Sequence, residues 1–190
     1  MQTQAASKTI GICVFFCLLL MVIPAPLFLA SADPSEGIVV RRTTLLVHDA
    51  EVSVAFYRDI LGFEVWYESD GTITGTGLPV VDAEVGEPTR FVIMKGNDPY
   101  MGMVGLLQYG NRKSHDRLTE TPEMRAGDFI LMIEMAGIDA IIDKLKKQNH
   151  PIYKMPETSR IKSVDDEWDA KVMYVLDPDG HMIELTERLN

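Results

Sequence analysis

A carboxylate at Glu184, set in an alternating strand, is the group around which any chemistry of this chain has to be read. It belongs to the stretch Tyr174-Val175-Leu176-Asp177-Pro178-Asp179-Gly180-His181-Met182-Ile183-Glu184-Leu185-Thr186. Tyr174 to Leu176 suits a strand. Asp177 to Gly180 is turn chemistry, with proline fixing φ and glycine permitting φ > 0. Beyond the turn, Ile183 and Leu185 point to one face, and Met182, Glu184 and Thr186 to the other. Glu184 is therefore set either inward among apolar neighbours or outward to water. Inward, it is a metal ligand, an acid or base, or the partner of a cation, because a buried carboxylate needs compensation.

Other residues of that kind are few. Both cysteines, Cys13 and Cys17, lie in an N-terminal leader, so thiol catalysis, cysteine–zinc sites and disulfides are excluded from the remainder. The histidines are scattered at His48, His115, His150 and His181, and His181, three residues from Glu184, faces the opposite side. The 190-residue chain has a net charge of −10 and no basic stripe, which argues against nucleic acid and anionic lipid as partners.

The leader, residues 1–32, has a basic Lys8, an apolar run from Ile10 to Ile23, helix-breaking Pro24 and Pro26, and an Ala30-Ser31-Ala32 ending. This is the pattern of a cleaved export signal. The alternative is an uncleaved anchor, since the apolar run to Ala30 is long enough to span a bilayer. Either way the body of the protein is expected outside the cytoplasm, periplasmic or secreted.

The elements that must position Glu184 come as a repeat. Asp98-Pro99 through Met103-Val104-Gly105-Leu106 aligns with Asp177-Pro178 through Met182-Ile183-Glu184-Leu185 at one constant offset, with Gly105 in the place of Glu184. The order before each copy also repeats. Residues 38–47 are β-rich, Asp49 is an N-cap, and Val52, Phe56 and Ile60 mark an amphipathic helix closed by Gly62. Strands follow at 63–67, 91–94 and 103–109 after a long Gly-rich connection. Residues 111–126 read as a polar linker. The second copy has a strand at 129–135, a helix marked by Ile138, Ile141, Ile142 and Leu145, and a short strand at 152–155. A charged loop at 156–170 and strands at 172–176 and 182–186 complete it. The fold class is α+β: two βαβββ modules, the first at 38–110 and the second at 127–188.

In Thr43 to Asp49, Ala55 to Phe63 and Asp177 to Leu185 the chain resembles the vicinal oxygen chelate superfamily of glyoxalase I, bleomycin- and fosfomycin-resistance proteins and extradiol dioxygenases. The resemblance implies two modules forming a curved mixed sheet around a concave site. In metal-dependent members a divalent ion there binds neighbouring substrate oxygens through His and Glu of the first and last strands. Carried over residue by residue, that ring reads Arg42, Gly105, Asp128 and Glu184. Only Asp128 and Glu184 could ligate, as catalytic acid/base pair or as ligands of one Mg, Mn, Zn, Ni or Fe ion. The alternative is no metal at all, with Arg42 competing for the same carboxylates in an Arg42–Asp128/Glu184 cluster. Arg42, Met103, Leu107, Ile130, Met132 and Met182, with Thr44 and Leu46, are expected to line the site, and Trp66, Tyr67, Tyr109 and Trp168 its rim.

Two functional readings follow. One is a glyoxalase-type lyase, isomerase or dioxygenase acting on a small oxygenated substrate. The other is a non-catalytic protein that binds and sequesters such a molecule. The modules close on each other within one chain or between the two chains of a homodimer.

Overall fold

The computed structural model describes residues 37–75, 77–111 and 123–189. The leader lies outside them; among the described residues no helix is long and apolar enough to cross a membrane.

The first unit runs β1 (Arg42–Val47), α1 (Ala50–Ala55), β2 (Glu64–Thr72), β3 (Pro88–Lys95) and β4 (Met103–Tyr109); α1 continues as a wider π-helical turn at Phe56–Ile60. The second runs β5 (Ile130–Glu134), α2 (Ile138–Lys147), β6 (Ile152–Lys162), β7 (Glu167–Leu176) and β8 (Met182–Arg188). Each unit forms its own four-stranded mixed sheet, in the orders β1-β4-β3-β2 and β5-β8-β7-β6. The first and last strands of each unit pair in parallel, the others antiparallel. The single curved sheet expected from the resemblance is thus two separate sheets.

Strand alternation decides which side of each sheet is covered. Leu45 and Val47 of β1, Val104 and Leu106 of β4, Met173 and Val175 of β7, and Ile183 and Leu185 of β8 are buried. They join Val54, Tyr57 and Ile60 of the first helical segment and Ile138, Ile141, Ile142 and Leu145 of α2 in one core. Each such aliphatic side chain contributes about 1.5–3 kcal/mol when removed from water. The intervening residues, Arg42, Thr44, Leu46, Ile130, Met132 and Glu184 among them, fall on the opposite sides.

The expected charged loop at 156–170 is a correction. β6 and β7 run through it as a hairpin, turning at 163–166. Arg160 pairs with Glu167 and Asp169 across the strands. Both faces of this hairpin carry polar groups, so no apolar alternation betrays the strands. Consequently only the first unit keeps a long connection between its second and third strands.

Cap chemistry repeats with the fold. Asp49 caps α1 as expected, accepting from Glu51 N at 2.9 Å and Val52 N at 3.2 Å. Gln108 Oε1 of β4 takes Ala50 N, and the equivalent residue of β8, Glu187, takes Gly137 N at 2.7 Å and Ile138 N at 3.3 Å. Gly137 has a left-handed φ of 78° and no side chain to cap with, so α2 depends on Glu187. Glu187→Ala is expected to cost about 1–2 kcal/mol and to lower the melting temperature by several degrees. An unchanged thermal melt would contradict this assignment.

Candidate functional site

On the uncovered side of the first sheet lies a cavity of about 690 Å³, lined among others by Arg41, Arg42, Thr44, Trp66, Phe91 and Met103. Arg42 lies flat across this face. Its Nε donates to Thr44 Oγ1 at 3.1 Å, and its guanidinium carbon sits 4.8 Å from the Phe91 ring centre. Gly105 is what permits this. A Cβ there would stand 2.8 Å from Thr44 Oγ1, 3.0 Å from Arg42 Cδ and 3.1 Å from Phe91 Cε2. The absent side chain of Gly105 is therefore the space that Arg42 fills. Arg41 stacks on Tyr100 at 4.2 Å and on Trp66 at 5.8 Å.

These two arginines differ from four others. Arg58, Arg90, Arg160 and Arg188 each hold a carboxylate. Among the described residues, neither Arg41 nor Arg42 is in an ion pair. Both rest on aromatic rings, which hold a cation without neutralising it.

Glu184 occupies the equivalent side of the second sheet, opposite Met132 on β5 and Tyr174 on β7. It accepts from Tyr174 Oη at 2.9 Å and from Thr186 Oγ1 at 3.3 Å. The bond to Glu184, ahead of burial, raises the pKa of the Tyr174 hydroxyl above the usual phenol range. Met182 beside it is buried, whereas Ile130 and Met132 are exposed.

Asp128 is not brought to Glu184. Strand register makes Ile130, paired with Met182, the counterpart of Arg42, paired with Met103. Asp128 stands two residues before β5, and four before Met132, the residue opposite Glu184. Asp128 Oδ2 instead accepts from Arg125 N at 2.9 Å, and the residue lines a separate hollow of about 240 Å³. Among the described residues the Arg42–Asp128/Glu184 cluster is not formed: Arg42 has Thr44 and Phe91, and Glu184 has Tyr174 and Thr186. Leu107 lines a third cavity, not that of Arg42.

A divalent ion does not fit this donor set. On the first face Arg42 stands where the resemblance puts a ligand, and on the second Glu184 is, among the described residues, the carboxylate that faces Met132 and Tyr174. Among the described residues no three His, Cys, Asp or Glu side chains gather to hold a metal. His150 is structural, its Nε2 donating to Leu176 O at 2.6 Å while its ring packs on Phe56.

The sequence profile of the Glyoxalase/Bleomycin resistance protein/Dioxygenase superfamily matches residues 39–185. The chain belongs to that superfamily. No curated protein matches it. Among solved structures of the superfamily, it is similar to a glyoxalase family protein from Bacillus cereus, at 14% identity over 82% of this chain and 97% of the other, with a TM-score of 0.57. A glyoxalase/dioxygenase from Nostoc punctiforme shares 18% identity over 85% and 98% of the two chains, with a TM-score of 0.52. The trypanothione-dependent glyoxalase I of Leishmania major shares 18% over 80% and 87%, with a TM-score of 0.51. At these identities the likeness to other superfamily members is one of fold.

Sequence reasoning missed one polar cluster. In sequence, Asp177 to Gly180 reads as turn chemistry alone. Both carboxylates of that turn are buried and bind the first unit. Asp177 Oδ2 accepts from Tyr57 Oη at 3.2 Å and His181 Nδ1 at 2.9 Å, while Oδ1 accepts from the amides of Asp179 and His181. Asp179 accepts from His48 N at 2.8 Å and Ser53 Oγ at 3.2 Å. Burial, outweighing these bonds, raises the Asp179 carboxyl above its ordinary range. The signal was present as Ser53 and Tyr57, two polar residues four apart on the apolar face of α1. Their counterparts on α2, Ile141 and Leu145, are hydrocarbon, and the counterpart of Asp179 is Tyr100. Matching this, Asp98 is only partly buried and caps its own turn, accepting from Tyr100 N and Met101 N at 2.7 Å. Those two amides hold its carboxyl below the ordinary range.

Proposed function

We propose that this is an exported, metal-independent binding protein of the superfamily. It holds a small oxygenated anion with an apolar or aromatic body against the open face of the first sheet. The single observation that carries this reading is the pair Arg41 and Arg42, which face a cavity and have no carboxylate partner among the described residues, in a chain of net charge −10. An unneutralised cation in an acidic protein draws anions to its own pocket. The Arg42 guanidinium offers the fork geometry that pairs with a carboxylate or with two vicinal oxygens. Trp66, Tyr67 and Phe91 supply the surface for an aromatic body.

Phenylpyruvate, with adjacent oxygens and a ring, is a suitable probe. Saturable calorimetric binding in the presence of a chelator is the expected result. Binding that appears only after a divalent ion is added would overturn the reading.

A catalytic reading as lyase or isomerase rests on a different observation, the Tyr174–Glu184–Thr186 arrangement on the open face of the second sheet. It requires Glu184 opposite Arg42, which one chain does not provide. Two copies, the first sheet of one on the second sheet of the other, would do so. They would also cover Leu46 and Met132, which are 49% and 55% exposed, and would place Arg42 against the partner subunit's Glu184. Light scattering should then report a dimer that Met132→Lys dissociates; a monomer at tens of micromolar would exclude this arrangement and leave the binding reading standing.

A further inference from the structure

The two larger cavities open on one face of one sheet. Arg42, Thr44 and Leu46 of β1 stand beside Met103, Gly105 and Leu107 of β4, in steps of two residues. Side chains two apart on a strand share a face. Arg42, Thr44 and Met103 line the first cavity, and Leu46 and Leu107 line the third, of about 840 Å³. The hollows therefore succeed one another along the strands. Arg42 is turned along this path: its Nε reaches Thr44 Oγ1, and its guanidinium rests on Phe91, whose cross-strand partner is Leu107. The charge stands one step short of the third cavity.

That cavity suits hydrocarbon. Leu78 and Val80 face Leu46 and Leu107 across it, within a covering segment at 78–82. The cover is anchored at its base, where Ile73 N donates to Glu87 O at 2.8 Å and Gly86 N to Ile73 O at 2.9 Å. The Tyr109 hydroxyl fills the space that a side chain at Gly77 would need. Among the described residues no lysine or arginine lines this cavity, whereas Asp82 and Asp179 do. An anionic head is thus repelled from this end and drawn to Arg42, while a hydrocarbon tail meets leucine and valine.

We propose that the two cavities form one site for a medium-chain fatty acid, with its carboxylate on Arg42 and its tail running past Leu46 and Leu107 beneath residues 78–82. This rests on the anion reading of Arg42 and adds the class of body that the anion carries. From Gly105, where the guanidinium lies, to Tyr109 at the end of β4 is four strand residues, roughly 13 Å. At about 1.2 Å per bond of an extended chain, that distance takes a tail of roughly ten carbons. Further methylenes meet the polar end of the cavity at Asn111 and Asp179.

Calorimetric titration of the purified protein with hexanoate, octanoate, decanoate, dodecanoate and tetradecanoate, a chelator present, tests this, with phenylpyruvate run alongside as the short ligand. Affinity should rise about three- to fourfold per methylene up to about ten carbons and flatten beyond. Val80→Asp and the more exposed Leu78→Asp, both on a surface segment, should each weaken decanoate at least about tenfold and phenylpyruvate less than about threefold. Arg42→Leu should lower the whole series by a common factor and keep its slope with chain length. If phenylpyruvate binds and the series has no slope, the tail path is refuted and the anion site stands; if neither phenylpyruvate nor decanoate binds, both fall. Decanoate binding indifferent to Arg42→Leu or to both covering-segment variants would also overturn the proposal. So would an affinity that drops as protein concentration rises, the mark of a second copy covering this face.

Discussion

Replacing Asp177 by alanine is expected to destabilise the protein by about 4 kcal/mol and to lower its melting temperature by on the order of 10 °C. The side chain is fully buried and accepts from the Tyr57 hydroxyl, two turn amides and the His181 ring. Alanine leaves these donors in the interior without an acceptor, at roughly 1–3 kcal/mol for each that water cannot reach. Asp177→Asn keeps one oxygen for the turn amides but turns an NH₂ toward Tyr57 and His181, and should cost about 2 kcal/mol. Tyr57→Phe removes a single donor and should cost about 1 kcal/mol. Denaturant melts giving this order would establish the turn as the clamp between the units; three equal small effects would not.

Asp179 should behave in the opposite way. Its folded-state pKa is raised by burial, so between its ordinary value and the raised one the folded protein binds the extra proton. Its contribution to stability is present at low pH and falls as pH rises through the folded pKa. Asp179→Asn keeps an oxygen for His48 N and can donate to Ser53 Oγ, which itself reaches Asp49 O. That variant should match the parent protein at low pH, exceed it in stability near neutral pH, and lose this part of the pH dependence.

Arg42→Leu should weaken phenylpyruvate binding roughly 30- to 100-fold, the loss of about 2–3 kcal/mol of charge-assisted hydrogen bonding. Arg42→Lys should recover only part of it, because an ammonium neither forks onto two oxygens nor stacks on Phe91. Gly105→Ala is predicted to act on the same group from beneath, forcing Arg42 Cδ and Thr44 Oγ1 away from a Cβ they cannot accommodate. A binding constant that ignores Arg42→Leu would remove the arginine from the site altogether.

The duplication could be read from the chain because turn, strand and helix signals recur at a constant offset, and β4, α1 and the Gly62 stop came out as their residues imply. What alternation could not give is register. A slip of two residues leaves every side chain on the same face, so the apolar pattern of β5 fits Asp128 or Ile130 equally well as the partner of Arg42. Only pairing with β8 separates them, and that moved Asp128 out of the site. The β6–β7 hairpin escaped because cross-strand charges stabilise it where no core face exists. The Asp177 clamp escaped because turn-forming aspartates look the same in sequence whether they face water or a buried tyrosine. Arg42 stands out in the sequence as the odd residue of the ring, but its neighbours do not: it lies on Phe91 rather than against an acid, for lack of a side chain at Gly105.

The most direct measurement is of the guanidinium itself. In protein labelled with ¹⁵N at arginine, the Nε–H resonances can be assigned through Arg42→Lys and Arg41→Lys and followed as phenylpyruvate is added with a chelator present. The Arg42 resonance should move to a new saturating position, with Arg41 moving less and Arg58, Arg90, Arg160 and Arg188 staying in place. Bound ligand with an unmoved Arg42 resonance, or a shift that waits for a divalent ion, would contradict the proposal that arginine stands in place of a metal.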